Sequence, residues 1–256
     1  MRRLRGLLFG DPTVILSTLV FGIVSYVVSF FDTDGRKQAV LARNWSKTLL
    51  RGCGIKVVVE GLDQIDTNSS YIFISNHLSF IDSPVILANI PVQFRFLAKL
   101  GLFQIPLLGG HLKRGGHIPV PRTDPRGSVK TMQTAAEVIR TKNISLLIFP
   151  EGGRSHHGIL QAFKEGGAYI AIRAGVPVVP TVLLGTQVVL PYGAGVVEPG
   201  VVRLRLLKPI PTSGLTLKDR GSLTNRLREV IATELIAEGF QAEKLESEQS
   251  VSSSPS

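Results

Sequence analysis

The segment Asn76-His77-Leu78-Ser79-Phe80-Ile81-Asp82 sets a histidine five positions before an aspartate, directly after the β-rich run Tyr71–Ser75. With a turn between them, the carboxylate of Asp82 can accept a hydrogen bond from one imidazole nitrogen of His77. The other nitrogen is then left to act as a base near neutral pH. A serine hydrolase would add a nucleophilic serine on a G-x-S-x-G elbow, and the chain contains no such elbow. A base without a protein nucleophile can take its proton from a substrate hydroxyl, which makes the substrate the nucleophile and points to direct group transfer. Taken alone, the pair has a plainer reading too, with His77 structural and Asp82 the N-cap of the following helix.

A second cluster lies at Glu151-Gly152-Gly153-Arg154-Ser155, after the apolar run Ser145–Phe149. Glycines permit tight turns that expose backbone N–H groups, and a guanidinium offers a planar fork to a phosphate. The cluster reads as an anion cradle, although a Gly-rich turn with one arginine is common in ordinary loops. No nucleophile or metal set competes with these two clusters. Cys53 is the single cysteine and sits in a turn with no His or Asp beside it, so it reads as inert. His111, His117, His156 and His157 are not spaced as a ligand set and read as surface or turn residues.

Strand ends position both clusters. Short β-rich runs begin at Ile55, Tyr71, Phe94, His117, Ser145, Val176 and Val201, and helical composition covers residues 82–89, 128–141, 166–174 and 217–238. Strands separated by helices predict an α/β fold, with a mainly parallel central sheet flanked by helices. In such sheets, sites form beyond the carboxyl ends of the strands, where His77 and Glu151 both fall. The expected organisation is an N-terminal membrane-seating helix pair over 1–52, a catalytic domain over 53–240 and a disordered polar tail over 241–256.

The expectation of a membrane rests on residues 12–31, which carry no charge. A helix of that length spans about 30 Å, the thickness of a hydrocarbon core. A cleaved signal peptide is the alternative, given Arg2, Arg3 and Arg5, but no A-x-A-like site follows. The next segment, 36–52, puts Leu41, Trp45 and Leu49 on one stripe and Arg43, Lys47 and Arg51 on another. That pattern suits a basic helix lying on anionic headgroups, with an ordinary domain helix as the alternative. Basic residues flank the apolar segment on both sides, which fits a hairpin or monotopic pair at least as well as a simple span. The formal net charge of +10 favours anionic partners, and aromatics at 7% leave little to stack on bases, so membrane or phosphate is favoured over nucleic acid.

Together the two clusters resemble motifs of the bacterial lysophosphatidic acid acyltransferase family, within the glycerolipid acyltransferase superfamily. The block starting at Lys99 (KLGLFQIPLLGG) is similar to that family's second motif, and the run ending at Thr181 (VPVVPT) is similar to its fourth. The resemblance implies transfer of a fatty acyl group from acyl-CoA or acyl carrier protein to the free hydroxyl of lysophosphatidic acid, giving phosphatidic acid, with no cofactor. It implies His77 as general base, Asp82 as its orienting partner, and Lys99 meeting the phosphate or the developing oxyanion. Glu151, Gly152 and Arg154 would hold the glycerol phosphate, and Arg122 would add a second positive charge. The catalytic domain would face the cytoplasm from the inner cell membrane. Two departures stand out: Gly153 replaces the family's usual threonine, and Pro-Val-Pro precedes Arg122. Another lysolipid or an acylated amino acid is the competing acceptor. A non-catalytic binder of anionic lipid, or a soluble thioester hydrolase, is the competing class.

Overall fold

The computed structural model describes residues 2–121, 124–155 and 158–242. It holds a sheet in the order β1-β7-β6-β2-β5-β3-β4, built from β1 (Ile55–Glu60), β2 (Ile72–Ser75), β3 (Phe94–Lys99), β4 (Ile118–Val120), β5 (Ser145–Ile148), β6 (Val178–Leu184) and β7 (Gly200–Leu206). Every neighbouring pair is parallel except β6 and β7. The mainly parallel α/β fold expected from the alternation of strands and helices is therefore the one observed.

Side chains of the central strands alternate between two cores, as the period-2 geometry of a strand requires. Phe73, Leu147, Val179 and Leu183 face one core. Ile72, Ile74, Leu146, Ile148, Val178 and Val182 face the other. The first core is closed by α3 (Arg36–Gly52), through Leu49 and Leu50, and by α4 (Asp82–Asn89), through Val85 and Ile86. The second is closed by α6 (Pro125–Lys142), α7 (Gly166–Ala174) and α9 (Arg220–Ala237), the last entering through Leu223, Leu227 and Ile231. Two shorter helices of the domain are α5 (Leu108–Arg114) and α8 (Thr186–Val189). α5 has no counterpart in the sequence reading, because its Leu-Gly-Gly start lacks both a cap and a helical apolar period.

At the N-terminus α1 (Arg2–Arg5), a π-turn over Gly6–Gly10, α2 (Asp11–Val28) and a 3-10 turn over Ser29–Phe31 form one helical run. It is long and apolar enough to cross a membrane, and Ile15, Leu16, Ile23, Tyr26 and Phe30 are exposed on it. The chain turns at Gly35, whose φ is +73°, and α3 runs back along α2. The antiparallel pairing shows in the contacts: Gln38 Nε2 donates to the Ser25 carbonyl, Trp45 Nε1 to Thr18 Oγ1, and Cys53 lies against the Gly10 carbonyl. Burial pushes the Cys53 thiol up to about 11, with the Asp11 charge adding to the effect, so the thiolate is disfavoured as the sequence implied.

The stripe of basic residues on α3 divides differently from the expectation of a face turned to headgroups. Arg43 turns inward and donates to the carbonyls of Leu87, Ile90 and Val92, capping the C-terminus of α4. Unpaired carbonyls at a helix C-terminus are favourable acceptors for a cationic side chain, and here they hold Arg43 although burial lowers its pKa.

Candidate active site

β2 ends at Ser75, and Asn76 turns the chain out of the sheet. Its side chain donates to the Leu183 carbonyl at 2.9 Å and accepts from the Leu183 N–H at 2.8 Å, replacing the ladder that the backbone abandons. His77 therefore leaves the carboxyl edge of the central strand on a fixed vector. Its Nδ1 lies 2.7 Å from Asp82 Oδ2. The same oxygen accepts from the backbone N–H of Leu78 at 2.7 Å and of Ser79 at 2.8 Å. Asp82 is wholly buried and occupies the first turn of α4, where a negative charge is favoured, yet its side chain caps no helix N–H. It points back at the loop and the imidazole, which removes the N-cap reading. Its second oxygen, Oδ1, is buried without a partner among the described residues.

The turn after β5 holds His77 from the other side. Glu151 Oε1 accepts from the His77 N–H at 2.8 Å, and the Ser155 N–H donates to the His77 carbonyl at 2.9 Å. Glu151 Oε2 accepts from the Gln161 N–H at 3.1 Å. Both carboxylate oxygens are thus engaged by backbone, and burial pushes this carboxyl up to about 7 against the pull of those two bonds, with the Asp82 charge raising it further. Phe149 stacks on the imidazole, ring centres 4.0 Å apart and planes 14° from parallel. This leaves Nε2 as the imidazole nitrogen with no partner among the described residues.

His77 opens onto a cavity of about 1020 Å³. Val14, Thr18, Phe21 and Gly22 of α2 and Trp45 of α3 form one wall, and Leu102, Ile105 and Leu107 of the segment after β3 form another. Lys99, at the end of β3, and Gly152 line the same space. Gly152 has φ +75°, and a Cβ built there would lie 2.7 Å from Lys164 Nζ. Lys164 also lines the cavity, and nothing in the sequence singled it out. Arg154 packs on Phe80, which lines the cavity, its guanidinium carbon 3.5 Å from the centre of that ring and 4.6 Å from that of Tyr192. So His77, Asp82, Glu151 and Arg154 lie on two loops in contact, Lys99 and Gly152 line the cavity that His77 faces, and Arg122 lies outside the described residues.

The reading of His111 and His117 as surface or turn residues is corrected. His111 Nδ1 lies 2.9 Å from both Ser25 Oγ and Gln38 Oε1, so it joins α5 to the α2–α3 hairpin, and burial lowers its pKa. His117 Nδ1 accepts from the Phe96 N–H, and burial, with the charges of His111 and Arg95 nearby, pushes it down to about 3. Their sequence neighbours are glycines and basic residues, which gave no sign of these partners. His156 and His157 lie outside the described residues. Among the described residues no group of three or more His, Cys, Asp or Glu is placed to hold a metal ion.

The model of the acyltransferase family matches residues 56–184 of this chain. The chain is 35% identical over 214 residues to a chloroplastic 1-acyl-sn-glycerol-3-phosphate acyltransferase of Arabidopsis thaliana, covering 81% of this chain and 59% of that protein. It is 30% identical over 180 residues to the human 1-acyl-sn-glycerol-3-phosphate acyltransferase alpha, covering 70% of this chain and 64% of that protein. The chain thus spans about three fifths of the length of the curated relatives it matches. Among solved structures, the 1-acyl-sn-glycerophosphate acyltransferase PlsC of Thermotoga maritima superposes with a TM-score of 0.74 at 28% identity, covering 90% of this chain and 95% of that one.

Proposed function

The chain belongs to the acyltransferase family that includes the 1-acyl-sn-glycerol-3-phosphate acyltransferases, and from that premise we propose that it acylates the free hydroxyl of lysophosphatidic acid to give phosphatidic acid. The observation that carries the reading is the His77–Asp82 contact at 2.7 Å on the wall of an apolar cavity, with no serine elbow in the chain. His77 Nε2 takes the proton of the acceptor hydroxyl as its oxygen attacks the thioester carbonyl carbon. The carbon–sulfur bond of the tetrahedral intermediate then breaks, and the leaving thiolate takes the proton back from the imidazolium. Asp82 fixes the tautomer and stabilises the transient positive charge, the role that an orienting carboxylate plays in other histidine-base enzymes.

Lys99, Gly152 and Arg154 receive the glycerol phosphate or the developing oxyanion. Arg122 adds charge on the strength of its sequence position alone. Glu151 is better suited to holding the His77 backbone than to touching substrate, because both of its oxygens are taken by amides. No cofactor enters the scheme. The acyl donor is a thioester of coenzyme A or of acyl carrier protein, and its chain fits the cavity walled by α2 and α3, where each buried methylene contributes about 0.8 kcal/mol.

Residues 1–52 seat the protein in a membrane and 53–240 form the catalytic domain. The exposed apolar face of α2 and the net charge of +10 support a position on the anionic cytoplasmic leaflet of the cell membrane. The test is product analysis with purified protein, lysophosphatidic acid and each donor type. Phosphatidic acid should form with the wild-type protein and not with His77→Ala, while both bind vesicles alike. Undiminished turnover by His77→Ala would remove the dyad from the mechanism.

A further inference from the structure

Arg154 presents an unusual situation for a cation beside a site. Among the described residues no carboxylate pairs with it, and no carbonyl accepts from its guanidinium. Its partners are two aromatic rings, with the guanidinium carbon 3.5 Å from the centre of Phe80 and 4.6 Å from that of Tyr192. Both rings belong to residues that are well exposed, Phe80 at 65% and Tyr192 at 42%, so burying apolar surface does not explain their positions. Phe80 lies between His77 and Asp82 in the catalytic loop, and Tyr192 follows α8 at the far end of β6. A buried hydroxyl joins these two segments: Ser79 Oγ donates to the Leu190 carbonyl at 2.8 Å and accepts from the Ile81 N–H at 3.3 Å.

A ring attracts a guanidinium through its face and uses none of the N–H groups. A carboxylate partner would occupy those donors and would have to be displaced before a phosphate could bind. An arginine held by rings keeps its fork whole and fixed in direction, which lowers the ordering cost of binding an anion. We propose that Phe80 and Tyr192 are positioning residues that hold the Arg154 guanidinium with its donors free for the phosphate of the acceptor, Ser79 fixing the two ring-bearing loops against each other. This rests on the assignment of Arg154 to that phosphate made above, and adds to it the residues that make the arginine a ready receptor.

The experiment is steady-state kinetics of the full chain in mixed micelles, with acyl donor saturating and lysophosphatidic acid varied. The proteins are wild type, Phe80→Ala, Phe80→Trp, Tyr192→Ala, Arg154→Ala and the double variants Phe80→Ala/Arg154→Ala and Tyr192→Ala/Arg154→Ala. Each ring deletion should raise KM for the acceptor about two- to fivefold, with kcat held within about twofold. Phe80→Trp should return KM to the wild-type value, because indole is the stronger cation receptor. In the Arg154→Ala background, removing either ring should change KM no further. The inference is overturned by an unchanged KM in both ring variants, or by a ring effect of the same size without the arginine. Weakened vesicle binding by Phe80→Ala that persists in the Arg154→Ala background would make Phe80 a lipid contact and also overturn it. A wild-type KM in Arg154→Ala itself would instead overturn the assignment of Arg154 on which the inference stands.

Discussion

Asp82→Asn is the most informative single change at the site, because it nearly preserves shape while removing charge. Asp82 Oδ2 serves three donors, His77 Nδ1 and the amides of Leu78 and Ser79, so the carboxylate holds the imidazole and folds its loop, and in the proposed mechanism it orients the base. Alanine would strand two amides and the imidazole, and each buried donor left unmade costs about 1–3 kcal/mol, so Asp82→Ala confounds chemistry with folding. Asparagine can put its carbonyl oxygen where Oδ2 stands and keep all three bonds. Its NH₂ then replaces Oδ1, which is buried without a partner and offers no acceptor, at a further cost of about 1–3 kcal/mol in stability. The catalytic loss comes from the missing negative charge facing the imidazolium. With the charge centres about 4 Å apart and an effective dielectric of about 20, the lost attraction is about 4 kcal/mol, or three powers of ten in rate. The assay is kcat for acyl transfer at saturating donor and acceptor, beside thermal denaturation of the same preparation. The expected result is a folded protein with kcat reduced about a thousandfold. A folded Asp82→Asn protein within tenfold of wild type would show that Asp82 is a loop clamp only and refute the dyad.

Three further outcomes follow from the geometry. Glu151 contributes stability that is fully present below the ordinary glutamate range near 4.5 and is lost as pH rises through about 7, because its carboxyl is raised in the folded state. Urea unfolding should therefore show wild type losing up to about 3 kcal/mol across that window relative to Glu151→Gln, whose curve lacks the slope; parallel curves would contradict the raised carboxyl. Gly22→Val should shift the product toward shorter acyl chains in a competition between mixed-length donors, since a Cβ there comes within 3.3 Å of Leu107 and each excluded methylene loses about 0.8 kcal/mol. Unchanged product lengths by mass spectrometry would place the acyl chain elsewhere. Gly61→Ala should destabilise by more than about 1–3 kcal/mol, the left-handed cost alone, because its Cβ would also lie 2.0 Å from the Leu206 carbonyl oxygen; an unchanged Tm would disprove this.

The parts of the site that were legible in the sequence are those in which one short segment carries its own geometry. The spacing from His77 to Asp82 fits a single turn between a strand and a helix, and that turn forms with both residues in contact. The strands of the sheet were readable because β-branched runs such as Ile55–Glu60 and Val178–Leu184 are bounded by glycine or proline. What escaped the sequence depends on residues distant along the chain meeting in space. Nothing local marks Lys164 as a neighbour of Gly152, Tyr192 as a neighbour of Arg154, or Asn76 as the residue that copies a ladder bond to Leu183. Glu151 shows the same limit from the other side. Its neighbours Gly152 and Arg154 suggest a ligand cradle, but only the fold shows its two oxygens facing the amides of His77 and Gln161.

The N-terminal hairpin illustrates how far the fold alters a reading based on composition. Taken as sequence, residues 1–52 are an anchor that could be attached to any catalytic domain. In the structure Gly52 meets Thr13 so closely that a Cβ would lie 2.3 Å from its methyl group, Arg43 caps α4, and Leu49 and Leu50 enter the core beneath Phe73 and Leu147. α4 begins with Asp82, so the helix that carries the orienting carboxylate is packed and capped by the hairpin. The hairpin also supplies Thr18, Phe21 and Trp45 to the wall of the cavity that His77 faces. Apolar side chains are exposed on one face of α2 and the other lines the cavity, so if the proposed membrane seating holds, this helix separates bilayer from site. The proposed lipid acceptor would have its tail in the bilayer and its phosphate in water, and such a boundary would let it keep both while its hydroxyl reaches His77. On the proposed function, membrane seating and catalytic geometry depend on the same contacts, and the sequence shows the hairpin and the domain as separate features because the contacts that unite them lie between Thr13 and Gly52, between Arg43 and Ile90, and between Ser25 and His111.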